Sequence, residues 1–234
     1  MAEWVPSQPQ LGHAAPSERL PSGSQLLRRG AEAILYRRKW HDLDVVVKQR
    51  VVKCYRVPSL DLKIREFRTI HESGLLHEAK KSGVMTPLVY SVDLGSTSII
   101  MEFVSGDRLK DVLNRLDPSE LDKLMERLGV LVGRLHRAGI VHGDLTTSNM
   151  ILTHSGEICL LDFGLGEHST ELEARGVDLH ILKTVFFSSH YLIADRCFGS
   201  AVNGYRKEMD REEADAVLRR TDQIGRRGRY VSVR

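Results

Sequence analysis

The chain has 234 residues, 41% hydrophobic and 28% charged, an ordinary globular composition sufficient for one compact unit or two small lobes. Its 34 basic and 31 acidic residues leave a net charge of +3, which by itself marks out no class of partner. No apolar run reaches transmembrane length, and the three cysteines (Cys54, Cys159, Cys197) are scattered without a C-x-x-C pair, which argues against a disulfide framework and structural zinc. A reducing compartment is the expectation. The start carries Glu3, Pro6 and Pro9 without an apolar h-region, so it does not read as a signal peptide, and Ala2 breaks the myristoylation pattern.

Residues 1–21 are rich in Pro, Ser and Gln and are expected to be disordered. Short strands are then predicted at Leu26-Leu27, Ile34-Leu35-Tyr36 and Val45-Val46-Val47, with a turn over His41-Asp42-Leu43-Asp44. Lys48 follows the β-branched run directly. A lysine leaving a buried strand needs a counter-charge or a phosphate; the alternative is a strand end reaching into solvent.

A helix is predicted from Ser59-Leu60-Asp61 to about Lys81, with an apolar stripe of Leu62, Ile64, Phe67, Ile70, Leu75, Leu76 and Ala79. Of its acids Glu66, Glu72 and Glu78, Glu72 is favoured as the partner of Lys48. Two strands around Gly95, Thr86–Asp93 and Ser98–Val104, complete a five-stranded sheet. Glu102-Phe103-Val104 then reads as a hinge whose backbone could bond an adenine edge, with Met101 either flanking that pocket or simply core.

The second half is predicted helical. A short helix spans Arg108 to Arg115. A longer one starts at Asp117-Pro118, with Asp117 as cap, carries Leu121, Leu124, Met125, Leu128, Leu131, Val132 and Leu135 on one stripe, and stops at Gly139. It delivers the chain into His142-Gly143-Asp144. His136 and His142 are six apart, the wrong spacing for a helical metal pair, and read as structural. Met150–Leu152 and Ile158–Leu161 form a hairpin through Ser155-Gly156, which brings Asn149 and Asp162 to one end.

Asp144, Asn149 and Asp162, with Lys48 and Glu72 upstream, are the residue types that phosphoryl transfer requires. The spacing matches the protein-kinase set H-R-D-L-x-x-x-N followed by D-F-G. Asp144 would accept a proton, Asn149 and Asp162 would hold metal, and Lys48, fixed by Glu72, would hold the α/β-phosphates. The departures are consistent with one another. Gly30-Ala31-Glu32-Ala33 replaces a three-glycine loop, Gly143 replaces the Arg that reads an activation-loop phosphate, and Thr146 stands where Ser/Thr kinases usually place a Lys. No A-P-E follows Gly164 before an apolar helix predicted to begin at Gly176-Val177-Asp178, so little chain remains for peptide docking. Asp178 could cap that helix or bond the catalytic-loop backbone. Arg219, Arg220, Arg226, Arg227, Arg229 and Arg234 make the end basic, either as a nucleic-acid or acidic-partner surface or as a solvated, frayed end.

His142–Met150, Leu161–Leu165, Gly176–Leu179, Gly30–Ala33 and Arg226–Arg229 together resemble the atypical, PRPK-like kinase subunits of the KEOPS (EKC) complex, over about Leu26 to Arg229. The resemblance implies a small, two-lobed α+β kinase-like fold. Its parts are an N-lobe at 22–104, with a five-stranded antiparallel sheet plus helix, a reduced helical C-lobe at 105–224 and a basic tail at 225–234. It implies ATP and Mg²⁺ as cofactors and Ser/Thr kinase or ATPase activity. The partners it implies are other KEOPS/EKC subunits, chiefly the metal-binding subunit that transfers threonylcarbamoyl to adenosine next to the tRNA anticodon, with tRNA itself met by the tail and no membrane. The expected nucleotide contacts are Gly30, Ala31, Glu32, Lys48, Glu72, Glu102 and Val104, with Asp144 catalytic and Asn149 and Asp162 on the metal. A free-standing Ser/Thr protein kinase is the alternative.

Overall fold

The computed structural model describes residues 20–231, with side chains to residue 227. Its first lobe is built from strands β1 (Gln25–Arg29), β2 (Ala33–Trp40), β3 (Leu43–Arg50), β4 (Val89–Asp93) and β5 (Ser98–Glu102). They form one antiparallel sheet in the order β1-β2-β3-β5-β4. Val45 and Val47 point to the same side of the pleat and pack with Ile34, Tyr36 and Ile100 in a small core of their own. The β2–β3 turn is tighter than the sequence suggests. Leu43 and Asp44 already pair with Trp40 and Lys39, and only His41 and Asp42 turn, both with positive φ, as a two-residue hairpin demands.

Helix α1 (Pro58–Lys81) lies against this sheet. Its second half buries Leu75, Leu76 and Ala79 as the periodicity predicts, but its first half departs from the expected stripe. Phe67 and Ile70 are 67% and 54% exposed, while Asp61, Thr69 and Glu72 are buried in that half. Ion pairs set the helix phase there. Asp61 takes Arg65 at 2.7 Å, and Glu72 reaches into the cleft.

The second lobe starts with β6 (Gly106–Arg108), which pairs with β8 (Met150–Thr153), itself paired with β9 (Ile158–Leu160). The single helix predicted over Arg108–Arg115 is therefore split. Arg108 belongs to β6, α2 covers Leu109–Val112, and Leu113–Arg115 is a 3-10 turn. Fully buried Leu109 and Leu113 pull this short segment onto the core. Helix α3 (Pro118–Arg137) begins as its sequence dictates, with the Asp117 carboxylate accepting from Ser119 N–H at 2.8 Å and Glu120 N–H at 3.0 Å. Its leucine stripe is buried in the main core, each such side chain contributing roughly 2 kcal/mol. Gly139, at φ 71°, turns the chain into β7 (Ile140–Val141), which pairs with β10 (Glu167–His168).

Helices α4 (Leu172–Ser189), α5 (Ala194–Glu208) and α6 (Arg211–Val231) close the lobe. The basic residues from 225 to 231 continue α6, because Ala214, Val217 and Thr221 form a buried line on it and Arg220 and Arg227 pair with Glu173 of α4. The Pro-rich start, residues 1–19, and the last three residues lie outside the described residues. No described helix is long and apolar enough to cross a membrane.

Helices α3 and α5 cross closely at Gly129 and Gly204. A Cβ on Gly129 would sit 1.8 Å from the Ala201 carbonyl oxygen, and one on Gly204 1.8 Å from that of Glu126. Gly129→Ala should therefore cost about 2 kcal/mol or more, read as a lower denaturant midpoint. Gly74→Ala, on an open face of α1, should leave the midpoint unchanged or raise it. Equal behaviour of the two variants would refute the close crossing.

Candidate active site

The loop between β7 and β8 is held from below by one carboxylate. Asp178 is fully buried and accepts from His142 N–H at 2.7 Å and Gly143 N–H at 2.8 Å. It does not cap a helix, because α4 begins six residues earlier, at Leu172. The backbone-bonding alternative is the one that holds. His136 joins the same hub, with Nε2 3.3 Å from Asp178 and Nδ1 2.9 Å from the Tyr205 hydroxyl.

His142 is also structural. Its Nε2 lies 2.9 Å from the Leu161 carbonyl, which can only accept, so Nε2 carries the proton. Its Nδ1 then accepts from Asp144 N–H at 3.3 Å. Burial lowers its pKa, in keeping with this neutral tautomer. The ring packs on Phe163 at 4.4 Å between centroids.

Gly143 has a local reason to be glycine. Its φ is 78°, and a Cβ would lie 2.1 Å from the Leu165 carbonyl oxygen. An arginine cannot be accommodated there without moving the segment after Asp162, so the absence of the usual arginine is built into the backbone.

Lys48, Glu72 and Asp162 meet across the cleft. Lys48 Nζ is 2.6 Å from Glu72 Oε1 and 2.6 Å from Asp162 Oδ1. Glu72 is 1% exposed and has a second cation, Arg50, whose guanidinium donates to Oε2 at 2.6 Å and to the Arg68 carbonyl at 3.0 Å. Sequence reading missed Arg50. The available signal was its position two residues after Lys48, which puts both side chains on one face of β3. Burial opposes ionisation of Asp162, but the Lys48 charge and hydrogen bonds from Lys48 and Gly164 N–H outweigh it and hold the carboxyl below its ordinary range. Asp162 also has a positive φ of 57°.

Asn149 ends a 3-10 turn, and its amide nitrogen donates to Asp144 Oδ2 at 2.7 Å and to the Asp144 carbonyl at 3.1 Å. The Asn149 side-chain oxygen, Asp144 Oδ1 and Asp162 Oδ2 are left without protein partners among the described residues. The hairpin aligns Asn149 with the Asp162 loop, since Leu161 N–H donates to the Asn149 carbonyl at 2.9 Å.

A cavity of about 510 Å³ separates the lobes. Ala31, Glu32, Lys48, Glu72, Glu102, Val104, Asp144, Asn149 and Asp162 all line it. Gly30 does not; its N–H closes the β1–β2 turn onto the Ala33 carbonyl at 2.9 Å. Glu32 is neutralised by Arg68 at 2.8 Å and by Lys53 at 3.7 Å, so the acid in the reduced glycine loop ties β1–β2 to α1. At the hinge, Phe103 N–H is taken by the Asp44 carbonyl at 3.2 Å, leaving the Val104 amide on the cavity wall as a donor.

The family described as "Protein kinase domain" matches residues 40–211. The chain is 42% identical over 212 residues to "KEOPS complex subunit Bud32" of Pyrococcus abyssi (strain GE5 / Orsay), covering 88% of this chain and 96% of that one. It is 36% identical over 210 residues to "EKC/KEOPS complex subunit bud32" of Dictyostelium discoideum, covering 87% and 82%. It is also 40% identical to a "Probable bifunctional tRNA threonylcarbamoyladenosine biosynthesis protein" of Methanothermobacter thermautotrophicus, spanning 88% of this chain but only 36% of that relative.

Arg50 generates a test. Arg50→Met leaves Lys48 as the sole cation on Glu72, so Lys48 is held back from a nucleotide. KM for MgATP should rise roughly tenfold, with a smaller change in kcat. Arg50→Lys, which keeps the charge without the fork, should recover only part of this. An unchanged KM in Arg50→Met would remove Arg50 from the site.

Proposed function

This chain belongs to the Bud32 branch of the protein kinase family, and from that premise we propose that it hydrolyses Mg-ATP as a subunit of a KEOPS/EKC-type complex. In that complex it would support threonylcarbamoyl modification of tRNA. The observation that carries the proposal is a complete phosphate-and-metal set joined to a curtailed segment. Residues 165–171 are all that separates Gly164 from α4, which leaves little chain for a peptide-docking platform. The names of the relatives support the assembly. In those called bifunctional, a segment similar to this chain accounts for about a third of the length, 36% in the Methanothermobacter protein, in keeping with a second activity working beside it. The partner would be the metal-binding subunit that transfers the threonylcarbamoyl group.

The donor set fits Mg²⁺. The unengaged oxygens of Asn149 and Asp162 are hard ligands, and a kinase-type site takes the rest of its shell from phosphates and water. No cluster of three or more His, Cys, Asp or Glu able to hold a metal occurs among the described residues, so the ion would arrive with the nucleotide. When bound, it would neutralise charge on the β- and γ-phosphoryl oxygens. Lys48 holds the α/β-phosphates while Arg50 keeps Glu72 compensated. The Val104 amide meets the adenine edge. Asp144, oriented by Asn149 at 2.7 Å, takes the proton of the attacking water. The new O–P bond forms as the bond from Pγ to the β,γ-bridging oxygen breaks, and its electron pair leaves on ADP.

Asp144→Asn should reduce ATP turnover by about 10²-fold or more with little change in nucleotide affinity. The isolated wild-type chain should phosphorylate generic peptides poorly beside its partner-stimulated ATP turnover. Efficient, sequence-selective peptide phosphorylation by the chain alone would replace this reading with that of a free-standing Ser/Thr protein kinase.

The basic end of α6 is the proposed tRNA contact. Arg220 and Arg227 are committed to Glu173, but Arg219 and Arg226 are exposed, two turns apart on one face, and unpaired among the described residues. The double variant Arg219→Glu with Arg226→Glu should weaken tRNA binding and flatten its salt dependence while helicity is retained. An unaltered salt slope would move the RNA contact elsewhere.

A further inference from the structure

Beside the nucleotide cavity lies a second cavity of about 410 Å³. The two share Arg28, Asp144, Ser148 and Asn149, so they adjoin at the carboxylate that takes the proton. The second cavity is roofed by Arg28 of β1, walled by Lys110 and Asp111 of α2, and floored by Thr146, Thr147 and His190. Its floor is fixed. His190 Nε2 lies 3.2 Å from the Thr147 hydroxyl, and Nδ1 lies 3.3 Å from Asn114 Oδ1.

Its cations are not committed. The side chains of Arg28 and Lys110 make no hydrogen bond or ion pair with any described residue. The site needs them. Thr146, two residues after Asp144, brings no positive charge to the transferring phosphoryl group, and Lys48 is engaged on the far side by Glu72 and Asp162. Phosphate leaving ADP would pass close to the Asp144 carboxylate, with Asp111 adding a second negative charge. Arg28 and Lys110 are exposed, and two cations from opposite lobes can offset that repulsion through charge-assisted bonds to phosphate oxygens.

We propose that this cavity is a phosphate site, in which Lys110 and Arg28 hold the γ-phosphoryl group as it departs from ADP and retain it as inorganic phosphate. The proposal rests on the hydrolytic reading above and assigns to Lys110 the charge that the catalytic loop lacks. A volume of about 410 Å³, continuous with the nucleotide cavity, suits a small anion better than a folded partner.

The test is a titration of inorganic phosphate into the full chain saturated with MgADP, followed by calorimetry. The wild type should bind phosphate saturably. Lys110→Ala should weaken that binding at least tenfold, Arg28→Ala should weaken it to a lesser degree, and Lys110→Arg should restore most of it. MgADP affinity should stay constant in the Lys110 variants, whose side chain does not line the nucleotide cavity, and Lys123→Ala, a charge control on α3, should match the wild type. Saturable phosphate binding lost in Lys110→Ala supports the site even if the chain turns over no ATP, an outcome that would sink the hydrolytic reading alone. No phosphate binding by the wild type, or equal binding by Lys110→Ala, overturns the proposal. So does a loss of tRNA or peptide binding in Lys110→Ala with phosphate binding intact.

Discussion

The structure depends on one buried carboxylate, Glu72, shared between two cations. Lys48 and Arg50 each approach it at 2.6 Å, and Lys48 also reaches Asp162 at 2.6 Å. Two positive and two negative charges therefore sit together at the back of the cleft. Removing one partner from such a group leaves an uncompensated buried charge, a cost of about 3–5 kcal/mol. That cost explains why α1 turns its polar side inward over its first half. Hydrophobic periodicity there would bury Phe67 and Ile70, but the helix rotates to deliver Glu72 and leaves them exposed. Arg68 adds to the constraint, since its carbonyl takes Arg50 and its guanidinium takes Glu32. Helix α1, β3 and the β1–β2 turn are thereby tied into one unit.

A second carboxylate does the corresponding work in the other lobe. Asp178 takes two loop N–H groups and faces His136, and the Tyr205 hydroxyl completes the chain from α5. The loop that carries His142, Gly143 and Asp144 is thus anchored by α3, α4 and α5 together. With the loop fixed internally, and with Gly143 pressed against the Leu165 carbonyl, there is no place for an arginine that would respond to a phosphorylated segment. The packing of Gly143 on Leu165 accounts for the missing arginine, and it stands beside a short 165–171 connection to α4.

The sequence was readable wherever a local rule acted alone. Asp117-Pro118 caps α3, the leucine stripe is its buried face, and the Met150–Leu161 hairpin aligns Asn149 with Asp162. Pairing of Lys48 with Glu72 could be reached because the downstream loops match the kinase set, in which an acid on this helix fixes the strand lysine. The misreadings arise where a distant partner overrides the local pattern. Arg50 was missed, since its partner Glu72 lies 22 residues away on α1. The Arg108–Arg115 helix was broken by β6 pairing with β8, and α4 extends back to Leu172 although its apolar run starts only near Gly176. The Arg-rich end reads as a tail, yet its register on α4 is set by Glu173, 47 residues before Arg220.

These charges also have to survive a change of occupant. In the nucleotide-bound state proposed above, Asp162 would gain a divalent cation and Lys48 would gain phosphates, so the Lys48–Asp162 contact would have to loosen. In a cleft where Lys48 was the only cation on Glu72, that movement would strand a buried carboxylate. Arg50 is fixed by the Arg68 carbonyl as well as by Glu72, so Glu72 would keep a cation if Lys48 shifted toward phosphate. The resident arginine lets the structural duty of holding α1 rest on a different cation from the one proposed to hold phosphate. Under the proposed function, Lys48 could then shift without α1 moving with it, because Arg50 and the Arg68 carbonyl still hold the helix to β3.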